Sequence, residues 1–340
     1  MESTVAKPSL KNGALVRVRR ALRSAYDKIP NVISTLLALA KGSSSPLRFV
    51  HLLGVSISVL IRLKTTTVEP SSRLPDDLKT AITTLYTSNV LMSKVPLSET
   101  IPTAFDDFIA TFITPQDFTP SILPTLERAL LRSPENSLAI VIRFFKVYTH
   151  PLDKDSFKKV ITQALNSSKS TNAAVRADSV NLFNATLTLN KELSDVALTE
   201  VLSLPKAGKT TGPDHRIALY TMLGSLPADK SVSASLVQSA LPLFAKEANE
   251  VATSTLANAL PAHIVFLLRE SSLTADVGQL VAKELASAKA PVRRAFSALV
   301  GTVFYQHEDL LQADSGVTFA KSLIPALENS LKTVSSNPLN

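Results

Sequence analysis

Apolar residues recur at three- and four-residue steps in blocks of about 12 to 18 residues, the spacing that lines one face of an amphipathic helix. Short polar breaks separate the blocks: "GSSSP", "EPSSRLPDD", "LRSPEN", "THPLDKDS", "SSKSTN" and "LPADKS". Pro46, Pro75, Pro134, Pro213 and Pro291 fall where a first helical turn would start, a position at which the missing N–H removes no hydrogen bond. Period-2 alternation of β-branched and aromatic residues is almost absent. The pattern predicts about 15 or 16 helices and no strand. The most apolar stretch, residues 49–61, is interrupted by His51 and bounded by Arg48 and Arg62. It is shorter than the roughly 20 residues a bilayer requires and predicts a buried helix.

Some of these helices open alike. "NAAVRADSVNLFNATL", "GPDHRIALYTMLGSL", "ANEVATSTLANAL" and "KAPVRRAFSALVG" align on Arg176, Arg216, Ala252 and Arg293, at spacings of 40, 36 and 41 residues. "NSLAIVIRFF" extends the series backwards through Leu138, 38 residues before Arg176. A period near 40 with two helices per unit matches HEAT-type repeats, and Val-Arg at the start of the second helix is their usual signature. One such pair cannot bury its own apolar face, so neighbouring pairs must stack. The fold class expected is all-α: an α-α superhelix, a HEAT/ARM-like solenoid. Its parts are expected as basic N-terminal helices acting as a cap (1–64), less regular helical repeats (65–116), repeats of period about 40 (117–335) and a tail or truncation end (336–340).

Composition narrows the chemistry. The 340 residues are 45% hydrophobic and 19% charged, within the globular range. With no cysteine there is no disulfide, thiolate metal site or cysteine nucleophile. The first twenty residues hold no apolar core of signal-peptide length. The net charge of +8 is placed unevenly. Residues 1–64 carry eleven Lys or Arg against Glu2 and Asp27, while the remainder is nearly balanced. Such asymmetry suggests an anionic partner for that end, whether nucleic acid, acidic protein or lipid headgroup.

"LPKAGKTTGPDHR" contains Gly-Lys-Thr but not a phosphate loop. Ser203 stands where Gly-x-x-x-x-Gly-Lys-Thr requires its first glycine, and a helical pattern, not a strand, precedes it. An inter-repeat connector is expected, with no ATP. The five histidines are scattered, none with another at i+3 or i+4, and no metal site is expected. His51 and His263 read as core or groove residues. The pairs Asp76/Asp77 and Asp106/Asp107 read as helix-start carboxylates, not as acid–base catalysts. No catalytic motif and no cofactor site is found, so the chain is not expected to be an enzyme.

The sharpest candidate lies at the basic end. On a helical wheel over 14–26, Leu15, Val18, Leu22 and Ala25 share an arc with Ala14, Ala21 and Tyr26. Arg17, Arg19, Arg20 and Arg23 share the opposite one, joined by Val16. Four guanidiniums on one face could each pair with phosphate oxygens, positioning the protein without reading sequence. The other reading is a solvated face; a membrane-surface helix would carry more apolar bulk. Lys28 extends the patch, and Lys206 and Lys209 are secondary loop candidates.

The stretches "TPSILPTLERALLRSPENSLAIVIRFF" (119–145) and "LSLPKAGKTTGPDHRIALYTMLGSLPAD" (202–229) resemble the amino-terminal region of the general-control translational activators. These are very large eukaryotic helical-repeat proteins of ribosomes, and the flavour here is fungal. The resemblance is carried by Leu123-Pro124, by Leu130 to Glu135, and by Gly208-Lys209 through Arg216 with the helix that follows. It implies a cytoplasmic scaffold at stalled ribosomes that promotes activation of the starvation-responsive initiation-factor-two alpha kinase. The ribosomal partner would be ribosomal RNA or an acidic stalk protein. The kinase and an ATP-binding-cassette partner are expected to dock on regions outside this chain, and no membrane is expected. No residue-level binding motif of the family maps onto this stretch. The alternative is a HEAT/TOG-type module binding tubulin or a transport cargo, which calls for basic and aromatic inter-helix loops; here those loops are mostly Ser, Pro and Asp.

Overall fold

The computed structural model describes residues 10–63, 69–272 and 275–335. Lys7, Lys64, the side chains of Lys11, Ala14 and Leu15, and residues 336–340 lie outside the described part. All regular structure among the described residues is helical, with sixteen α-helices of nine residues or more. The chain forms two compact units, residues 1–156 and 157–340.

The first unit contains α1 (Leu10–Ser24), α2 (Ile29–Lys41), α3 (Val50–Ile61), α4 (Asp76–Tyr86), α5 (Thr100–Thr103), α6 (Asp106–Phe112), α7 (Pro115–Asp117), α8 (Leu123–Arg132) and α9 (Pro134–Val147). As the hydropathy of 49–61 requires, α3 is central: it packs against α1, α2 and α6, with Leu53, Ile57, Val59 and Leu60 buried. Eight buried aromatic rings from α4 to the end of α9 fill the rest of this core. Tyr148 stacks on Phe118 and Phe144 at centroid distances of 5.5 and 5.2 Å, and Tyr86 meets Phe105 at 5.1 Å. Such pairs add about 0.5–1.5 kcal/mol each beyond the burial of their area. Two π-helical turns, Thr87–Leu91 and Phe118–Ile122, interrupt the regular pattern. The second contains Pro120, whose ring and missing N–H prevent a continuous α-helical ladder.

The second unit begins in the first turn of α10 (Lys154–Ser167). It continues through α11 (Ala173–Leu189), α12 (Ser194–Lys206), α13 (Pro213–Gly224), α14 (Ser233–Phe244), α15 (Glu250–Asn258), α16 (Pro261–Arg269), α17 (Ala275–Leu285), α18 (Ala290–Tyr305) and α19 (Asp314–Ser335). The helices aligned by sequence period stack on one another in order: α11 on α13, α13 on α15, α15 on α18. A second row runs α12, α14, α17, α19. Leu219, Leu223, Phe244, Leu256, Phe296 and Leu299 are buried between the rows. Each contributes roughly 1.5–3 kcal/mol relative to exposure. Two helices per unit does not hold throughout. Pro261 cannot continue α15, so the chain breaks at Ala259-Leu260 and α16 leaves to pack on α14 and α18.

The repeated arginine has a visible task. Arg176 Nη1 donates to the carbonyls of Ser170 and Thr171 at 2.9 and 2.8 Å, closing the loop that precedes its own helix. Arg293 does the same to Ser287 and Ala288 at 2.7 and 3.1 Å. Arg216 instead crosses to the next loop. Its Nε and Nη2 donate to Glu247 at 2.7 and 2.9 Å. These loops expose backbone carbonyls that no helix satisfies, and a guanidinium at the helix start supplies the donors. The helix-start carboxylates lie where expected, Asp76 and Asp77 in the first turn of α4 and Asp106 and Asp107 in that of α6, but the second pair has a further task. Asp106 accepts a paired contact from Arg143 of α9, and Asp107 pairs with Arg62 at 3.5 Å, so these two tie helices together.

Candidate nucleic-acid interface

Arg17, Arg19, Arg20 and Arg23 all lie on α1 and are exposed, as is Lys28 in the short turn before α2. The four arginines make no ion pair or hydrogen bond with any described residue, in contrast to Arg73, Arg143, Arg176, Arg216 and Arg293. The helix docks on α3 by a stripe narrower than the wheel implies. Leu22 is buried and Val18 and Ala25 are half-buried, while Ala21 and Tyr26 face solvent together with Val16. A helix packed on one neighbour has only one seam to cover, and small or amphipathic residues beside that seam stay wet.

Beside the arginine face, α1, α3 and the α5–α6 segment enclose an open cavity of about 390 Å³. Arg19, His51, Ser58 and Arg62 line it, with Glu99 and Asp107 along the α5–α6 wall. Sequence reasoning placed His51 in a core or groove and overlooked Arg62 as its companion. The signal was present: His51, Val55, Ser58 and Arg62 follow helical spacing along one stripe of an otherwise apolar helix. Arg19 joins the α1 face to this cavity, where Asp107 pairs with Arg62.

The secondary candidates belong to the other compact unit. Lys206 ends α12 and donates to Ser239 Oγ at 3.0 Å, at the edge of a cavity also lined by Lys246. Lys209 is exposed in the connector between α12 and α13. That connector follows a helix and turns at Gly208, whose φ of 67° is left-handed and free of strain only for glycine. The Thr211 N–H donates to His215 Nδ1 at 3.2 Å, fixing the loop to the start of α13.

Two histidines of the second unit are buried among its helices. His263 is enclosed and hydrogen-bonded to Ser233 Oγ at 3.1 Å; burial lowers its pKa to about 4 despite Asp229 nearby. His215 is lowered to about 4 by burial, helped by Lys169 and Arg216. Both are neutral near pH 7. Among the described residues no three His, Asp or Glu side chains gather as metal ligands would.

A family model described as general control nonderepressible 1 (Gcn1) N-terminal matches residues 213–340. Another, described as stalled ribosome sensor GCN1 N-terminal, matches residues 79–203. No curated protein matches the chain. The two matched segments contain the stretch 119–145, the part of 202–229 from Pro213 onward and most of the stacked helices, while residues 204–212 fall between them; the chain belongs to the Gcn1 family, in its amino-terminal region.

Proposed function

We propose that the chain serves as a ribosome-facing scaffold in the cytoplasm, part of a translational activator that senses stalled ribosomes. The observation that carries this reading is the set of four exposed arginines on α1 with no partner among the described residues, in a chain whose family is described as a stalled ribosome sensor. Cations that fold stability does not employ are available to an anion. Guanidiniums pair well with phosphate oxygens. Lys28 extends the same surface, and Lys206 and Lys209 offer a secondary contact from the other unit. In this reading the chain contributes to activation of the initiation-factor-two alpha kinase indirectly, by holding the ribosome. We assign no residue here to the kinase or to the ATP-binding-cassette partner.

Salt titration tests the proposal. Four phosphate contacts release about four counterions, so affinity for ribosomes should fall on the order of a hundredfold between about 50 and 200 mM salt. Substituting Arg17, Arg19, Arg20 and Arg23 together by Glu should weaken cosedimentation strongly and flatten the salt slope of the binding that remains. Binding indifferent to both changes removes the proposal. Capture of tubulin in preference to ribosomes would assign the chain to the protein-binding alternative.

A further inference from the structure

Four serines or threonines in the chain precede a proline: Ser45, Thr114, Thr119 and Ser133. All lie in the first compact unit, and the structure separates them sharply. Thr114 Oγ1 donates to Asp117 at 2.7 Å, inside a capping box that starts α7. Thr119 Oγ1 reaches Asp153 at 3.5 Å and Ser156 at 3.3 Å. Ser133 Oγ donates to Glu135 at 3.3 Å and accepts from Asn136 Nδ2 at 3.0 Å. Ser45 is different. It is exposed in the loop between α2 and the helical turn Pro46–Phe49, and its hydroxyl makes no hydrogen bond with any described residue. Its own N–H donates to Ser43 Oγ at 3.0 Å.

The flanking residues add a second distinction. Three residues beyond Ser45 stands Arg48, exposed, with its guanidinium 5.8 Å from the Phe49 ring centroid. At the same place the other sites carry Asp117, Ile122 and Asn136. A protein-kinase groove that offers no acceptor to the residue after the target selects proline there, because proline has no N–H to leave unsatisfied. An acidic patch three residues on selects a base. Ser45-Pro46-Leu47-Arg48 fits both requirements and is the one Ser/Thr-Pro site of the chain that does.

We infer that Ser45 is a phosphorylation site for a proline-directed serine/threonine kinase that reads a basic residue at the third following position. The kinase's catalytic base takes the Ser45 Oγ proton. Ser45 Oγ then attacks the γ-phosphorus of ATP, the new O–P bond forms, and the bond to the β,γ-bridging oxygen breaks to release ADP. Entry to the kinase groove requires the Pro46–Phe49 turn to straighten. That turn is four residues of 3₁₀ geometry, anchored to Ser45 by the Arg48 N–H to Ser45 carbonyl bond at 3.1 Å, so its opening is local. The product places a charge of about −1.5 to −2 at the N-terminal end of the turn leading into α3, where the helix dipole favours it. It also reduces the positive surplus of residues 1–64 from nine to about seven.

The test uses the whole chain, a purified kinase of this specificity and MgATP, with phosphate positions mapped by tandem mass spectrometry. Phosphate should accumulate at Ser45 ahead of Thr114, Thr119 and Ser133. It should be absent at that site in Ser45→Ala, and its rate of incorporation should drop about tenfold or more in Arg48→Ala, as expected for losing one charge-assisted contact. A synthetic peptide spanning residues 40–52 serves as the unfolded control. An unmodified chain beside a modified peptide would show that the fold hides Ser45 and would overturn the inference. So would faster modification at Thr119 or Ser133, an unmodified peptide, or an Arg48→Ala chain modified at the normal rate.

Discussion

Glu247→Ala should loosen the stack between α13 and α15. The Glu247 side chain is 1% exposed and receives the Arg216 guanidinium at 2.7 and 2.9 Å and the Tyr220 hydroxyl at 3.3 Å. It also accepts from the N–H groups of Ala248 and Asn249, at 3.0 and 2.9 Å. Alanine leaves all these donors without an acceptor. Breaking a buried pair by removing one partner costs about 3–5 kcal/mol, and the figure here belongs at the low end, about 3 kcal/mol, since Arg216 keeps access to water. Two compact units need not unfold together, so a single melting curve is a blunt probe. Hydrogen exchange read by mass spectrometry resolves the site. Peptides from α13 and the 245–249 loop should exchange about a hundredfold faster, at about 1.4 kcal/mol per factor of ten. Peptides from the first unit should not change. Burial by itself would raise the Glu247 pKa, but Arg216 and the two N–H groups outweigh it and hold the carboxyl below its usual 4.5. The stability it contributes is therefore present above pH 4.5 and is lost as pH falls through the lower folded value. The advantage of the native chain over Glu247→Gln should shrink in that acid window. An exchange increase below tenfold, or one spread evenly over the whole chain, would refute the argument.

Other expectations are brief to state. Gly316→Ala puts a Cβ 1.9 Å from the Leu310 carbonyl oxygen, so backbone must move and α19 should lose about 1–3 kcal/mol; an unchanged denaturation midpoint would contradict this. His263 takes a proton near pH 4 when folded but near 6.5 when unfolded, so the unfolded chain binds more protons between those values and stability should decline as pH drops through that window. His215 acts in the same direction. Thermal melts from pH 7 to 4 should steepen accordingly, and His263→Gln should flatten the dependence; a profile unaffected by that substitution argues against a buried neutral imidazole.

Much of this molecule was legible along the chain because its helices are made locally. The alignment of Arg176, Arg216 and Arg293 correctly chose helices that stack, since a repeat must present the same face to each neighbour. The placement of the Gly-Lys-Thr loop between helices followed from the absence of a preceding strand and from Pro213. Less legible was the use of side chains between repeats. Asp106 is the first-turn carboxylate its position implied, but its pairing with Arg143, 37 positions later, had no local signal. Glu247 carried no signal at all, and its role exists only because the loop before α15 folds onto α13. At the candidate interface the basic end was legible from charge placement, but that the α1 arginines meet no partner among the described residues is a fact of three dimensions.

The sequence by itself determined helix positions, the repeat period and the basic end, because propensity, capping prolines and apolar spacing act within a few residues. Tertiary structure alone decided which charges are consumed in holding the stack and which remain available. Arg216 and Arg19 are equally charged in one dimension; only the fold brings a buried carboxylate to the first and leaves the second facing water.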